Sequence, residues 1–221
     1  MKIIEQSYEI KEFPKDPTFI IEDAARNCYQ SSHKKKCGSD KTLVKSLIKT
    51  QHFTPLEFIS CRFSVVTNRA ISHQICRHRL LSINQESQRF VNYSGKEIEF
   101  IKPNYVSREA IDFYNSKNDY HKHITSVEHI WLMACENAEI DYNELINEGL
   151  KPEQARGVLT NDTVTKIEIC TNLRELRLIF SLRCSKKADP MIRALFIPML
   201  KELYSREPIL FEDVIGELSL C

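Results

Sequence analysis

The sequence predicts an α+β protein, with a predominantly antiparallel sheet flanked by helices, in a single domain that covers residues 1–221. Stretches of alternating apolar and polar residues, typical of half-buried strands, recur from the N-terminus to residue 171. Stretches with helical apolar spacing separate them, without the regular strand–helix–strand rhythm of a parallel sheet. The apolar fraction of 42% over 221 residues suffices for a substantial core, and no repeat or Pro/Gly/Ser-rich linker divides the chain.

Alternation of apolar and polar side chains marks the predicted strands. In 60–67, for example, Cys61, Phe63 and Val65 alternate with polar residues. The polar stretch 82–88 is predicted to be a loop. The predicted strands, in chain order, are 3–10, 60–67, 89–93, 98–101 and 164–171.

Helical apolar spacing and capping residues mark the predicted helices. Asp40 and Asn68 have side chains that can accept hydrogen bonds from the first turn of a helix, and Pro152 and Pro190 suit its first position. The predicted helices are 19–29, 41–50, 68–79, 107–147 with one break, one from residue 151, one from residue 172, and 189–204.

Charge and glycine content exclude several function classes. The 31 Lys and Arg residues nearly balance the 30 Asp and Glu residues, and the net charge of +1 argues against non-specific binding of nucleic acid or membrane. The five glycines are scattered, so the glycine fingerprint of dinucleotide-binding folds and the glycine-rich P-loop are both absent. A nucleotide would therefore have to be bound by side chains.

The cysteines and the N-terminus predict a cytoplasmic protein without a membrane segment. None of the eight cysteines is two or three residues from another, so zinc-ribbon and redox spacings are absent, and no metal site is predicted. The N-terminal residues include no apolar stretch typical of a secretory signal. We expect reduced thiols, most of them in the core.

A basic helix followed by a polar loop is the most informative stretch. Arg69, His73 and Arg77 would be successive i,i+4 neighbours on the predicted helix, an arrangement that is unfavourable unless an anion lies among them. The loop adds neutral hydrogen-bonding groups and then Arg89, which together suit a ligand with phosphates and a polar heterocycle. From spacing alone, a solvated helix face with a polar loop is an equally good interpretation.

This stretch resembles the signature of the flavin-dependent thymidylate synthases. In that family Arg-His-Arg is followed, after about seven residues, by a serine in a Ser-x-Asn-(Glu/Gln)-x-Ser-x-Arg-Tyr frame. The sequence departs from the frame at Phe90, where the family usually has Tyr. The matching residues are Arg77, His78, Arg79, Ser82, Asn84, Gln85, Ser87 and Arg89.

The resemblance extends over nearly the whole chain. The segment 52–57 is similar to the family's His-x-Thr-Pro-x-Glu, and 172–174 to its flavin-binding Asn-x-Arg. Arg156 lies in a segment similar to the family's Ala-Arg-x-x-Leu. The sequence departs from the family at Leu178, usually Asn or His, and at 187–190.

The resemblance implies a methyltransferase of dTMP biosynthesis that converts dUMP to dTMP. Methylenetetrahydrofolate would supply the carbon, FAD would carry a hydride, and NADPH would reduce the flavin. The family is a homotetramer whose active sites are built from several subunits. The resemblance implies the cofactor-binding residues His52, Thr54, Arg77, His78, Arg79, Gln85, Asn172, Leu173 and Arg174. It implies the dUMP-binding residues Gln74, Arg77, Gln85, Glu86, Ser87, Gln88, Arg89, Arg156 and Arg183.

Arg183 is the expected catalytic residue, and its position is unusual irrespective of the family. Counting about 100° per residue from Asn172, it falls within an apolar arc of the predicted helix. A guanidinium there needs a partner. The alternatives are an ion pair with a carboxylate such as Glu175 or Glu168, extension of the side chain to solvent, or contact with the uracil ring of dUMP.

Other functional interpretations use residues of the same stretch or a histidine cluster. Cys76 precedes Arg77 and could act as a nucleophile. An RNA- or nucleotide-binding protein would use a basic patch of Arg69, Arg77, Arg79 and Arg89. A metal site at His121, His123 and His129 is disfavoured because these residues do not share one helix face.

Overall fold

Strands and helices follow one another irregularly along the chain, as the sequence predicts. A computed structural model describes residues 1–116 and 124–220. The strands are β1 Lys2–Ile4, β2 Ser7–Glu12, β3 Ser60–Asn68, β4 Leu81–Gln85, β5 Glu99–Ile101 and β6 Val164–Asn172. The helices are α1 Pro17–Asn27, α2 Ser39–Lys49, α3 Arg69–Ile75, α4 Arg108–Asn115, α5 Ser126–Asn147, α6 Pro152–Ala155, α7 Leu173–Arg183, α8 Pro190–Arg206 and α9 Pro208–Leu218. Short 3₁₀ turns occupy 32–34, 54–58 and 156–158.

The main sheet is antiparallel, which confirms the predicted fold class. Its four strands lie in the order β2-β3-β6-β4. Two hydrogen bonds show that β3 and β6 run antiparallel. The start of β3 meets the end of β6, where the N–H of Leu173 donates to the carbonyl of Ile59, and the end of β3 meets the start of β6, where the N–H of Arg69 donates to the carbonyl of Asn161. A separate two-stranded sheet pairs β1 with β5 in parallel, with Ile3 opposite Phe100.

The chain divides into two compact units. The first contains 1–7, 65–75 and 84–167, and the second contains 8–64, 76–83 and 168–221. Each of the four long strands contributes residues to both units. The expectation of a single domain over 1–221 stays a prediction.

Each unit has its own aromatic core. In the first unit, Tyr142 is fully buried and its ring meets that of Tyr93 edge to face at 5.7 Å. In the second unit, Phe180 of α7 makes edge contacts with Phe196 at 6.2 Å and Phe211 at 5.9 Å. Within the described ranges no helix has the length and apolarity needed to cross a bilayer.

Most predicted elements are confirmed, several with shifted ends. The strands predicted at 60–67, 98–101 and 164–171 are found within a few residues. So are the helices predicted at 19–29, 41–50 and 189–204 and those predicted from residues 151 and 172. Asn68 caps α3, its Oδ1 accepting the N–H of Ile71 at 2.8 Å. Asn172 caps α7 in the same way, through the N–H of Glu175 at 2.9 Å. Asp189 caps α8, accepting the N–H of Met191 at 2.8 Å.

Other predicted elements are wrong. The strand predicted at 3–10 is two strands, β1 and β2, and the strand predicted at 89–93 is absent. The helix predicted at 68–79 ends at Ile75. The single break predicted in the helix 107–147, in contrast, is confirmed, because α4 ends at Asn115 and α5 begins at Ser126.

The prediction of Asp40 as the N-cap of α2 is also wrong, because Gly38 occupies the N-cap position, with φ of +75°. Asp40 lies in the first turn and accepts a hydrogen bond from the hydroxyl of Thr18 at 2.6 Å. Helix α9 was not predicted.

Candidate functional site

The segment after α3 exposes the two arginines of the Arg-His-Arg motif and buries the histidine between them. Arg77 and Arg79 are exposed, whereas His78 between them is buried. Because α3 ends at Ile75, Arg77 does not continue the i,i+4 series that the sequence predicts from Arg69. Each arginine therefore faces solvent while the imidazole faces the interior of the second unit.

The stretch 82–88, predicted to be a loop, is largely a strand. In β4, Leu81 and Ile83 are half-buried and alternate with exposed Ser82 and Asn84. Alternation of apolar and polar residues is the sequence signal for a strand, but the many polar residues of this stretch made the alternation hard to recognise. Only the residues after Gln85 leave the strand.

Arg183, His78 and Glu175 form a chain of hydrogen bonds within the second unit. The Nε–H of Arg183 donates to Nε2 of His78 at 3.0 Å, and Nδ1 of His78 lies 3.2 Å from Oε1 of Glu175. His78 and Glu175 are buried, with relative exposures of 9% and 6%. Arg183 itself is half-buried at the end of α7.

The hydrogen bonds determine which nitrogen of His78 carries the proton. Arg183 Nε–H can only donate, so Nε2 of His78 must offer its lone pair. Burial, and then the positive charge of Arg183, lower the pKa of His78 below its ordinary value of 6.5, while Glu175 opposes this shift. The ring is therefore neutral at neutral pH, and its proton is on Nδ1, from which it donates to Glu175.

Glu175, one of the carboxylates suggested from the sequence as a partner for Arg183, contacts His78, and His78 accepts a hydrogen bond from Arg183. Arg177, a buried arginine of the same helix, forms an ion pair with a carboxylate. Its Nη1 and Nη2 donate to Oδ1 and Oδ2 of Asp213 at 3.0 and 2.5 Å. A further hydrogen bond from Nη1 reaches the carbonyl of Leu210.

Two segments predicted to bind the flavin meet in the second unit. Arg174 Nη1 donates to Oε1 of Glu57 at 2.6 Å, which joins the start of α7 to the 3₁₀ turn 54–58. The side chain of Leu173 is fully buried, and its N–H donates to the carbonyl of Ile59 at 3.0 Å. His52 and Thr54 are exposed at the start of this segment.

A cleft of about 460 Å³ lies beside these residues, and we call it the Arg79 cleft. It combines exposed apolar groups, Phe58 and Leu80, with the polar side chains of Arg79 and Asn172. Its remaining lining residues are Glu57, Ser60, Leu81, Ser82, Cys170 and Thr171. An apolar surface with a few polar donors is typical of sites for planar heterocycles.

A second cleft, of about 540 Å³, contains the departure from the family pattern at Leu178. Leu178 is 48% exposed on α7, so its substitution for a polar residue leaves an apolar group at the surface of this cleft. Arg174 and Glu175 also line the cleft.

In the first unit, a hydrogen-bond network holds Gln85. Its Nε2 donates to the hydroxyls of Ser72 and Thr165, both at 3.0 Å. Arg69 donates to the same hydroxyl of Thr165 at 3.2 Å and to the carbonyl of Glu86 at 3.4 Å. Arg69 therefore supports the end of β4 from within the unit, which is contrary to the exposed basic patch of the RNA-binding interpretation.

The residues after β4 form a turn with protein partners for most of their polar groups. Oγ of Ser87 accepts the N–H of Arg89 at 3.3 Å. Nε of Arg89 donates to Oε2 of Glu153 at 2.8 Å, and its guanidinium lies 5.1 Å from the ring centre of Phe90. The carboxylate of Glu86 accepts the hydroxyl of Tyr93 at 2.8 Å. Burial, followed by this carboxylate, raises the pKa of Tyr93.

The remaining predicted residues lie in the same first unit. Gln74 and Gln88 are half-buried, whereas Arg156 is exposed in the 3₁₀ turn 156–158. The structure thus groups the predicted dUMP-binding residues in the first unit, except Arg77 and Arg183, and the predicted flavin-binding residues in the second, except Gln85.

The residues of these networks that sequence reasoning missed as functional candidates include Tyr93, Glu153 and Thr165. Sequence reasoning treated Glu175 only as an alternative ion-pair partner. Glu153 and Glu175 are identified only by contacts across long sequence separations, 64 residues to Arg89 and 97 residues to His78. Tyr93 lies only seven residues from its partner Glu86.

Other features of the described residues do not bear on the predicted chemistry. Within 1–116 and 124–220 no three His, Cys, Asp or Glu side chains come together as metal ligands, and His121 and His123 lie outside these ranges.

Of the seven described cysteines only Cys61, Cys135 and Cys184 are buried, so the expectation of mostly core thiols is wrong. A cavity of about 1060 Å³ near α1, α2 and α9 has five acidic and five basic lining residues, so it has no preference for an anion.

Comparisons with known proteins agree with the resemblance. The family model described as thymidylate synthase complementing protein matches residues 9–209. The flavin-dependent thymidylate synthase of Geobacter sulfurreducens is 34% identical over 207 residues, which are 90% of this chain and 82% of that protein. The one of Corynebacterium aurimucosum is 27% identical over 224 residues, 93% of this chain and 83% of that protein.

A solved structure has the same fold. It is that of the UMP/dUMP methylase PolB of Streptomyces cacaoi bound with 5-Br dUMP. The TM-score is 0.77 at 24% identity, over 99% of this chain and 98% of that chain. The family match covers most of the sequence and includes both groups of site residues, so the chain belongs to the flavin-dependent thymidylate synthase family.

Proposed function

We propose that the chain catalyses the reductive methylation of dUMP to dTMP, with methylenetetrahydrofolate as carbon donor, FAD as hydride carrier and NADPH as reductant. The observation that carries the proposal is the hydrogen bond from Arg183 to neutral, buried His78. This bond orients the guanidinium without neutralising its charge, because its acceptor is uncharged. Family membership supports the rest of the assignment.

The residues of the Arg79 cleft fit a flavin. A bound FAD would supply hydride transfer, and the protein would supply binding and orientation. The exposed apolar groups Phe58 and Leu80 suit an aromatic ring system, and Arg79 suits a phosphate or a carbonyl oxygen. The ion pair between Arg174 and Glu57 holds two flanking segments in place.

The residues of the turn after β4 fit the phosphate of dUMP. Ser87 offers a hydroxyl and Arg89 a guanidinium, both suited to charge-assisted hydrogen bonds with phosphate oxygens. Gln74, Gln85, Glu86, Gln88 and Arg156 are assigned to the same nucleotide by resemblance. Ser87 is a phosphate ligand in this proposal and not a nucleophile.

Arg183 would act on the uracil ring. Its guanidinium favours negative charge at N3 and the adjacent carbonyl as hydride reaches C6. The hydrogen bond to His78 fixes one edge of the guanidinium, so the group is oriented before substrate arrives. Lysine could supply the charge but not the planar, two-pronged donor geometry.

The assembly and location follow the family in this proposal. We expect a homotetramer with shared active sites in the cytoplasm, and neither nucleic acid nor membrane as a partner. Size-exclusion chromatography with light scattering measures the assembly directly.

Spectroscopy and turnover test the proposed function together. We expect the purified protein to show or acquire the visible absorption of bound FAD, to oxidise NADPH faster when dUMP is added, and to form dTMP when methylenetetrahydrofolate is present. A protein that takes up no FAD in a titration and shows no dUMP-stimulated oxidation would refute the proposal.

A variant of the Arg79 cleft provides a matched comparison. Arg79→Ala should weaken FAD binding about tenfold to hundredfold, the loss expected for one hydrogen bond to a charged group. Arg108→Ala, which removes an exposed arginine at the start of α4, should leave FAD binding unchanged. Equal FAD affinities of the two variants would exclude the Arg79 cleft as the flavin site.

A further inference from the structure

Glu175 occupies a place where a buried carboxylate is tolerated. It lies in the first turn of α7, where the N–H groups and the helix dipole favour negative charge. Its own N–H is satisfied by the cap residue Asn172 at 2.9 Å. Its carboxylate oxygen Oε1 faces Nδ1 of His78 at 3.2 Å.

An imidazole in this place can have its proton on either nitrogen, and only one choice is compatible with Arg183. If the proton were on Nε2, that N–H would face the Nε–H of Arg183 across 3.0 Å, and two donors would oppose each other. With the proton on Nδ1, both contacts are satisfied. An acceptor that cannot donate, next to Nδ1, selects this arrangement.

We propose that Glu175 is a positioning residue for Arg183: its carboxylate accepts a hydrogen bond from Nδ1–H of His78 and so fixes the tautomer whose Nε2 accepts Arg183 Nε–H, which sets the orientation of the guanidinium. The proposal rests on the proposed function for its catalytic consequence, but not for the tautomer itself. The same logic applies wherever a carboxylate orients a functional histidine through the opposite ring nitrogen.

Nuclear magnetic resonance of the protein tests the tautomer without reference to activity. In protein labelled with ¹⁵N-histidine, we expect His78 to have a protonated Nδ1 and an unprotonated Nε2 at neutral pH. Protonated Nε2 in the unsubstituted protein would overturn the proposal, whether or not any variant folds. In Glu175→Leu we expect the Nδ1 form to lose its predominance, and an unchanged tautomer would also overturn it.

Kinetics test the consequence for Arg183. Glu175→Leu should lower kcat for dTMP formation by about 100-fold, the scale expected for a misplaced catalytic group, with the KM for dUMP changed by less than about threefold. Glu175→Gln keeps an acceptor oxygen for Nδ1–H, so it should retain the tautomer and most of the turnover. If both variants lose turnover equally, the role of Glu175 as acceptor is refuted.

Asp213→Asn is the matched control for a merely structural effect. Asp213 of α9 forms an ion pair with Arg177, which lies on the same helix as Glu175. This substitution should lower stability while leaving the His78 tautomer and kcat unchanged. A fall in kcat equal to that of Glu175→Leu would show that general loosening of α7, and not positioning, explains the effect.

The two proposals fail in distinguishable ways. If the unsubstituted protein forms no dTMP, the proposed function fails, yet the histidine spectra still decide whether Glu175 fixes the tautomer. If dTMP forms and Glu175→Leu changes the tautomer with no loss of kcat, the positioning role fails and the proposed function stands.

Discussion

Arg177 and Arg183 lie on the same helix, six residues apart, and contact partners of opposite character. Arg177 forms a two-pronged ion pair with Asp213 of α9, and its guanidinium lies 5.5 Å from the ring centre of Phe53. Arg183 donates to a neutral histidine. Six residues correspond to about 240° around a helix, so the two side chains leave it on different faces. Arg177 thus links α7 to α9. The guanidinium of Arg183 is oriented by its hydrogen bond to His78.

Substitution of Arg183 should separate catalysis from stability. Arg183→Ala and Arg183→Lys are expected to retain the fold and bound FAD, while dTMP formation falls by roughly 10²- to 10³-fold, the effect of losing one preorganised donor. Arg177→Ala should instead reduce the free energy of unfolding by about 1.5–3 kcal/mol through the loss of hydrogen bonds to a charged group. Single-turnover dTMP formation and chemical denaturation of all three variants measure both effects. A large loss of stability in Arg183→Ala, with the remaining folded protein active, would contradict the catalytic role.

Glu153 should compete with the phosphate of dUMP for Arg89. The two side chains are exposed and 2.8 Å apart, so the ion pair contributes only about 0.2–1 kcal/mol and weakens with salt. Glu153→Gln is therefore expected to tighten dUMP binding by about two- to fivefold at low ionic strength. Isothermal titration calorimetry with dUMP measures this change.

The opposite change is expected at the phosphate ligands themselves. Ser87→Ala and Arg89→Ala should weaken dUMP binding about tenfold to hundredfold, with turnover at saturating dUMP largely kept.

Glu144→Gln, which removes an exposed carboxylate of α5, is the control for the prediction on Glu153→Gln, because it tests whether the loss of any negative charge tightens dUMP binding. If it tightens binding as much as Glu153→Gln does, the contact with Arg89 is not the cause.

The fold could be predicted where local signals dominate. The side chains of Asn68, Asn172 and Asp189 mark three helix starts because a capping side chain acts on its own first turn. Strand β4 was missed because its exposed positions carry polar residues, Ser82 and Asn84, and this polar content is also typical of a loop. Helix α9 begins at Pro208, directly after α8, and nothing in the sequence separates the two except that proline.

The site was predictable only in part, for a different reason. Family resemblance identified Arg183 and His78, but it assigned both to ligands, and it did not link them to each other. Their contact joins residues 105 positions apart, and no spacing rule reaches that far. The contact of Arg89 with Glu153 was not predicted for the same reason, since the two residues are 64 positions apart.

Glu128 should stabilise the first unit in a pH-dependent way. Its carboxylate accepts hydrogen bonds from the N–H and hydroxyl groups of Ser107 and Thr125, the caps of α4 and α5, at 2.6–2.9 Å. The hydroxyl of Ser107 is the largest contribution to a pKa of Glu128 lowered to about 2. A lowered carboxyl pKa stabilises the fold above the ordinary value of 4.5, and this stability is lost as the pH falls towards 2.

Glu128→Gln is accordingly expected to reduce the free energy of unfolding by about 1.5–3 kcal/mol at pH 7. The difference from the unsubstituted protein should shrink as the pH falls below about 4.5. Urea denaturation at several pH values measures it. A difference that stays constant down to the acid limit would show that packing, and not the charge of Glu128, is responsible.

His78 should make the stability of the second unit fall when the pH decreases from neutrality. Burial and Arg183 lower the pKa of His78, whereas the unfolded chain has the ordinary value of 6.5. Between these two values the unfolded state binds a proton that the folded state does not, so the free energy of unfolding decreases with falling pH, by at most about 1.4 kcal/mol per pH unit. The contribution of His78 to the free energy of unfolding is complete above pH 6.5 and is lost as the pH falls towards the lowered pKa.

The variant His78→Gln tests this prediction because glutamine cannot take up the proton. The difference in unfolding free energy between this variant and the unsubstituted protein should change over this pH range, while the contributions of carboxyl groups that both proteins share cancel. Parallel curves for the two proteins from pH 7.5 to about 5 would mean that His78 titrates normally in the fold, and the lowering of its pKa by burial and Arg183 would then be wrong.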